Sequence, residues 1–443
     1  MPRWKTRFLN AHLQKHIGMI NMASIKIKLW GAVVGVAYWE HEGQCAIFQY
    51  DPDYLAKGYE VAPRMMPLST KIYSFNALNR DTFNGLPGLI SDSLPDAYGD
   101  SLIELWLRRN NLETYNFTPV DRLCYIGNRG MGALEYEPAM ERAYVDNEID
   151  INLLSALASD IMNDRMKIES DLTSEGISDL IKIGTSAGGM RAKAVIALNE
   201  STNDVRSGQI DPPPGFTHWL LKFDTEDPTK ARKGYCRIEY AYYLMASQCK
   251  IKMTECRLLE LGNKAHFMTK RFDRPGSEKI HVQTLCAMAH YDYKIPGAYS
   301  YKNVFEIIRE LEMPYEDSEQ LFRRMVFNVI AMNRDDHTKN LAFMMEEGKT
   351  WRLAPAYDMT YAYDPTNKWI SRHQLSINGR TDGITMNDLF HLGKEMNIRN
   401  VKEIIETTTS IVSEWNEFAK SAGVQNNVME SIEASLKKNI DAM

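Results

Sequence analysis

Long hydrophobic runs are missing from this chain. No stretch approaches the roughly eighteen uninterrupted apolar residues that a membrane-spanning helix needs. Cysteine is sparse and unpatterned: the six residues fall at 45, 124, 236, 249, 256 and 286, with no C-x-x-C pair. That excludes a disulfide framework or a Cys-rich zinc site and points to a reducing compartment. An excess of positive charge is also lacking. The net charge of −6 argues against a generally basic nucleic-acid binder, while leaving room for a local patch or a DNA-binding partner. Internal repeats, long low-complexity segments and the H-E-x-x-H, G-x-x-x-x-G-K-[ST] and G-x-G-x-x-G signatures are all absent. The first twenty residues carry Arg3, Lys5, Arg7 and Lys15 but no apolar core of a signal peptide. A cytoplasmic protein with no membrane partner is therefore expected, its folded part beginning near Met19 or Met22.

What is present is an ordinary globular composition, 44% hydrophobic and 25% charged, over 443 residues. That length calls for two or three domains. SIKIKLWGAVVGVAYWE, residues 24–40, alternates apolar and charged and reads as two strands joined by a tight turn; AIFQYD continues the pattern. A helix is expected from Asp100, and another pattern over 147–164. The strand-like AKAVIALN follows, then the breaker DPPPG at 211–215, a strand in HWLLKF, a helix over 237–249 and a strand in HFMTKRFDR. Helices dominate from about 280: 302–312, 318–332 and broken pieces of 401–441. The expected division is an accessory α+β domain at 24–140, a strand-rich lobe at 141–270 and a helical lobe at 271–443.

Near the three-quarter mark an apolar run breaks into NRDDHTKN before turning apolar again. LFRRMVFNVIAM enters as a buried helix, and LAFMMEEGKTWRLAP leaves as two strands around a turn at Glu347–Gly348. Side chains on such a loop can converge on a substrate. Asp335 and Asn340 stand five apart, the spacing of the base and the magnesium-holding amide in a protein kinase. Asp358, past the hairpin, is a second candidate metal ligand, and His337 and Lys339 could orient the loop or face a phosphate. From this loop alone a solvated charge cluster reads equally well. A metal hydrolase is weaker, since only one His lies here.

An ATP site also needs a phosphate cradle and an anchored lysine. GTSAGGMRAK, residues 184–193, places Ser186, Gly188, Gly189 and Lys193 where backbone amides could form an anion nest, though a plain Gly-rich turn fits as well. Lys222 is a charge inside the apolar strand HWLLKF; an edge lysine is the alternative. Glu239, early in the following helix, could pair with it, and Phe267 and Met268 could wall the adenine. The parts occur in the order that a two-lobed kinase requires.

Here the chain resembles the HipA family of toxin kinases from bacterial toxin–antitoxin pairs. IKLWGAVVGVAYW, LPGLISDSLPDAYG, RLCYIGNRGMGAL, TSAGGMRAK, HWLLKF, KRFDR, NRDDHTKN and APAYDM carry the likeness, over about residues 24–415. The resemblance implies a two-lobed fold of the protein-kinase and phosphoinositide-kinase type, preceded by an N-terminal accessory domain. It implies ATP and Mg²⁺ as cofactors, Asp335 as base, Asn340 and Asp358 at the metal and Lys222 on phosphate. It further implies self-limiting phosphorylation of Ser186, with Thr185 adjacent; added negative charge would repel ATP phosphates. Asp336 stands where a Gly is common in the family and adds charge beside Asp335.

The resemblance also implies serine phosphorylation of an aminoacyl-tRNA synthetase, glutamyl-tRNA synthetase in the best-studied case. A helix-turn-helix antitoxin of HipB type is the implied partner, with operator DNA bound mainly through it. A kinase for a small molecule or lipid, or a catalytically quiet antitoxin-binding module, are the competing readings at this point.

Overall fold

A computed structural model of the chain describes residues 24–109, 117–139, 151, 154–155, 191–209, 213–224 and 234–443. The N-terminal sheet is antiparallel, in the order β4-β3-β2-β1-β5, built from β1 (Ser24–Leu29), β2 (Ala32–Glu40), β3 (Cys45–Tyr50), β4 (Ile72–Ser74) and β5 (Leu134–Glu137). Alternation forms β1 as expected: Ile25, Ile27 and Leu29 are buried while Lys26 is exposed. The turn to β2 takes positive φ at both Trp30 and Gly31, the geometry a two-residue hairpin needs to match strand twist. Trp30 is held there by donating its indole N–H to the carbonyl of Lys279, 2.7 Å away. A helix runs Ala97–Arg109, starting three residues before the expected Asp100.

The second antiparallel sheet has the order β7-β6-β8-β10-β9. Its strands are β6 (Lys193–Asn199), β7 (Val205–Ser207), β8 (Phe216–Lys222), β9 (Cys256–Leu261) and β10 (Lys264–Lys270). One face carries a core of Ala194, Ile196, Trp219, Leu221 and Met268, closed by Tyr98 and Leu102 from the accessory domain's helix. The helix Tyr235–Gln248 packs near the other face, where Cys236 meets Cys256 and Phe267. The sequence pattern placed this helix within two residues at its start and one at its end.

Beyond this sheet lie β11 (His281–Thr284) and β12 (Tyr299–Ser300), then β13 (Ala342–Met345), β14 (Arg352–Leu353) and β15 (Leu375–Ser376). β11, β13 and β14 form one antiparallel sheet, and β12 pairs in parallel with β15. The expected hairpin after the polar loop is therefore β13–β14, with Gly348 at φ 73° in its turn. Helices at Tyr301–Glu310 and Tyr315–Ile330 match the expected 302–312 and 318–332 within three residues. The 401–441 region resolves into Val401–Ser413, Trp415–Ser421 and Asn426–Ala442. Met386–Glu395, with a Thr385/Asp388 capping box, was not foreseen. One continuous core joins the N-terminal sheet to the helical lobe. The result is a mixed α/β architecture: a sheet-rich N-terminal domain, then a two-lobed unit ending in helices. Among the described residues no helix is long and apolar enough to cross a membrane.

Candidate functional site

The buried helix Tyr315–Ile330 delivers the chain to the polar loop. Its apolar residues Leu321, Phe322, Met325, Val326, Phe327, Val329 and Ile330 are all buried, and Met332 turns out of it at φ 53°. Helix N–H groups end there, so the loop must find other partners. Asn340 folds it back on itself, donating its side-chain amide to the Asp335 carbonyl at 2.8 Å and its backbone N–H to the His337 carbonyl at 2.9 Å. The amide nitrogen is thereby occupied, which leaves the amide oxygen as the group that Asn340 can offer a ligand. Asp335 and Asn340 are thus brought together as the spacing suggested.

Asp335 has a side chain 44% exposed, and its carboxyl is held above the ordinary carboxylate range. Burial is the main cause, with Asp358 and Asp336 adding repulsion and His337 opposing them. His337 Nε2 stands 3.7 Å from the Asp335 carboxylate, while its Nδ1 accepts the Lys339 N–H at 3.2 Å. An accepting Nδ1 places the ring proton on Nε2, facing Asp335.

Asp336 is buried inside the loop. It accepts from Tyr301 Oη at 2.8 Å and the Gln374 N–H at 2.7 Å, and pairs with His373 Nδ1 at 3.0 Å. Burial alone would raise its carboxyl, but His373 and these hydrogen bonds hold it below the ordinary range. The second acid is therefore an anchor that ties the polar loop to the segment entering β15 and to the helix Tyr301–Glu310. Its charge also reaches Asp335, as the sequence suggested, as a smaller contribution than burial or Asp358.

Lys222 ends β8 with its ammonium between two carboxylates. Glu239 Oε1 lies 2.5 Å away, and Asp358 Oδ1 is in direct contact. Burial would push this lysine down; Asp358 and Glu239 more than offset that and raise it. Asp358 is held well below the carboxylate range, since Lys222, then Lys193 and Arg191, outweigh its burial. It sits at φ 57°, a left-handed conformation uncommon outside Gly, Asn and Asp. Glu239 is raised by burial despite Lys222, with its Oε2 turned toward Arg191 at 3.8 Å. The pairing of Lys222 with Glu239 was an expectation from sequence; the direct link to Asp358 was not.

The remaining candidates separate. Lys193 is the cross-strand neighbour of Lys222, and its ammonium meets Asp96 of the accessory domain at 2.7 Å. Phe267 is the neighbour of Lys222 on the other side, its ring 5.7 Å from that ammonium. Met268 points into the core on the opposite face. β10 lies between β8 and β9, so ladders on both sides engage the backbone of Phe267 and Met268. Lys339 lies over the Tyr293 ring at 5.0 Å and acts on Asp92 and Asp96. Thr185, Ser186, Gly188 and Gly189 lie outside the described residues. Among the described residues no group of three or more His, Cys, Asp or Glu side chains could hold a metal by itself. A divalent ion here would draw on Asp358, Asn340 and its substrate's own oxygens, which is how Mg²⁺ is usually held.

Comparison with known proteins places these motifs. Residues 185–440 match the HipA-like C-terminal domain, and residues 25–137 match the HipA N-terminal domain. A chain of the Shewanella oneidensis structure of HipA, HipB and operator DNA superposes with a TM-score of 0.63 at 14% identity, covering 94% of this chain and 96% of that one. Y4dM of Sinorhizobium fredii, a protein named as a candidate kinase, is 24% identical over 173 residues, 35% of this chain. That match spans 41% of the relative's length.

Proposed function

Because the chain belongs to the HipA family, we propose that it is an ATP- and Mg²⁺-dependent serine/threonine protein kinase acting as a growth-arresting toxin. One observation carries the reading: Lys222, Glu239 and Asp358 arrive from a strand, a helix and a loop to form one ion cluster, in which Asp358 lines the same pocket as Asn340 and acts on Asp335.

Each side chain then has a role that its surroundings suit. Asp335 accepts the proton of the attacking hydroxyl; its raised pKa makes it a better proton acceptor than an ordinary carboxylate. His337, with its Nε2 proton toward that carboxylate, orients it. Glu239 holds Lys222, whose ammonium would offer its charge to the phosphates of a bound nucleotide. Asp358, ionised and partly exposed, and the free amide oxygen of Asn340 are hard oxygen donors, and together they fit Mg²⁺. Held there, Mg²⁺ would supply positive charge to offset the negative charge that builds on the phosphate oxygens during transfer. Phe267 supplies an apolar wall beside Lys222.

The acceptor is a serine or threonine hydroxyl, on an aminoacyl-tRNA synthetase by family resemblance and on Ser186 of the chain itself. The likeness to a structure holding HipA, HipB and operator DNA supports a helix-turn-helix antitoxin of HipB type as partner. With a net charge of −6, this chain would meet operator DNA mainly through that antitoxin. The test is phosphate transfer from Mg-ATP to a complete panel of purified aminoacyl-tRNA synthetases. Labelling of one synthetase, lost in Asp335→Asn, is expected; a panel left unlabelled by the wild type would overturn the target assignment.

A further inference from the structure

The proposed chemistry leaves the accessory domain without a part, yet its segment 91–100, SDSLPDAYGD, reaches the cleft. Asp96 follows Pro95 and precedes the helix Ala97–Arg109. One of its oxygens accepts the Gly99 N–H at 2.7 Å, fixing the carboxylate on the first turn of the helix. The other takes the Lys193 ammonium at 2.7 Å, with the two side chains 7% and 2% exposed. The same helix is pinned to the lobe by Tyr98 and Leu102 in the core below β6 and β8. Four residues earlier, Asp92 is tied at 2.6 and 2.8 Å to the backbone and hydroxyl of Thr284.

Lys193 and Lys222 are direct partners across β6 and β8. Two ammonium groups side by side in a buried sheet repel unless each has its own counter-charge. Glu239 and Asp358 serve Lys222. Asp96 serves Lys193. The accessory domain thus supplies the acid that lets a second cation stand next to the first, at the end of the sheet that faces Asp358.

We propose that Asp96 is a positioning residue: from the accessory domain it holds Lys193 charged beside Lys222, so that the phosphates of the nucleotide meet two lysines rather than one. This rests on the kinase reading of the cleft. It gives that domain a share in nucleotide affinity and explains a carboxylate buried between domains.

The test measures the dissociation constant and KM for Mg-ATP, with kcat, in the full-length chain and in Asp96→Asn, Asp96→Glu, Lys193→Met and the Asp96→Asn/Lys193→Met double variant. Gel filtration and thermal unfolding check each fold. The expected result for Asp96→Asn is a KM and dissociation constant raised about tenfold or more, with kcat changed much less. Asp96→Glu recovers most of the loss, and the double variant is no weaker than Lys193→Met alone. Unchanged Mg-ATP affinity in Asp96→Asn, even with a lowered melting temperature, would reduce Asp96 to a structural contact and overturn the inference. A wild type that neither binds Mg-ATP nor transfers phosphate would instead overturn the kinase reading, and this inference with it.

Discussion

Asp273, in the KRFDR stretch, offers a stability prediction that can be worked through from its contacts. Its carboxylate has no exposed surface. Arg271 clamps it through two bonds of 2.9 and 2.7 Å, Arg274 adds one of 2.9 Å, and the Gly132 N–H adds one of 2.8 Å. The arginines also reach the carbonyls of Gly130 and Gly132, so the cluster joins the segment after β10 to the accessory domain just before β5. Asp273→Asn keeps the shape but removes the counter-charge of the buried Arg271 guanidinium and of the partly buried Arg274 beside it. Breaking such a buried pair costs about 3–5 kcal/mol. Spread over 443 residues unfolding together at about 2.1 cal/mol/K each, that is a fall of about 3–5 °C in Tm, and more if a single domain melts alone. Burial would raise this carboxyl, but Arg271 and Arg274 hold it far below the usual carboxylate range. A depressed folded-state pKa contributes stability above the unfolded value near 4, and loses it as pH falls through the folded value. Differential scanning calorimetry from pH 7 to 3 should therefore show the gap between wild type and variant narrowing only in acid. A Tm within about 1 °C of wild type at pH 7 would refute the reasoning.

Three further outcomes follow from the cleft. Glu239→Gln should lower kcat/KM for Mg-ATP by about ten- to a hundredfold, the worth of a charged hydrogen bond, with steady-state kinetics as the check. Asp336→Asn should reduce thermal stability by about 3 kcal/mol or more and raise protease sensitivity near 371–376, because His373 loses its buried partner. The acid limb of kcat/KM should reflect Asp335 losing its proton: activity rises with pH, with a midpoint above the ordinary value near 4, and Asp335→Asn abolishes it.

Much of the two-lobed frame was legible because local pattern and tertiary role agree. HWLLKF is a strand on propensity alone, and the lysine that breaks its apolar run proved to be the one facing two carboxylates. The spacing from Asp335 to Asn340 likewise expresses a short-range fact, an amide folding back on its own loop. What stayed hidden depends on contacts far apart in sequence. Lys193 looked like part of a phosphate cradle, and no local feature shows that its partner is Asp96, 97 positions earlier. Asp336 and Asp335 are adjacent carboxylates with opposite pKa shifts; the difference lies in Tyr301 and His373, 35 and 37 positions away. KRFDR reads locally as the end of a strand and the connection beyond it, and no local feature shows that its acid ties this segment to the accessory domain, because the guanidinium groups of Arg271 and Arg274 and the backbone N–H of Gly132 meet it only in the folded chain.

The most direct test of the central claim is the intact mass of the full-length protein before and after incubation with Mg-ATP, for wild type and Asp335→Asn, followed by peptide mapping. The account predicts one phosphoryl group on Ser186 of the wild type, gained in the tube or already present on purification, and none on Asp335→Asn in either state. Equal phosphorylation of both proteins, or a wild type that stays unmodified throughout and fails to bind Mg-ATP, would contradict it.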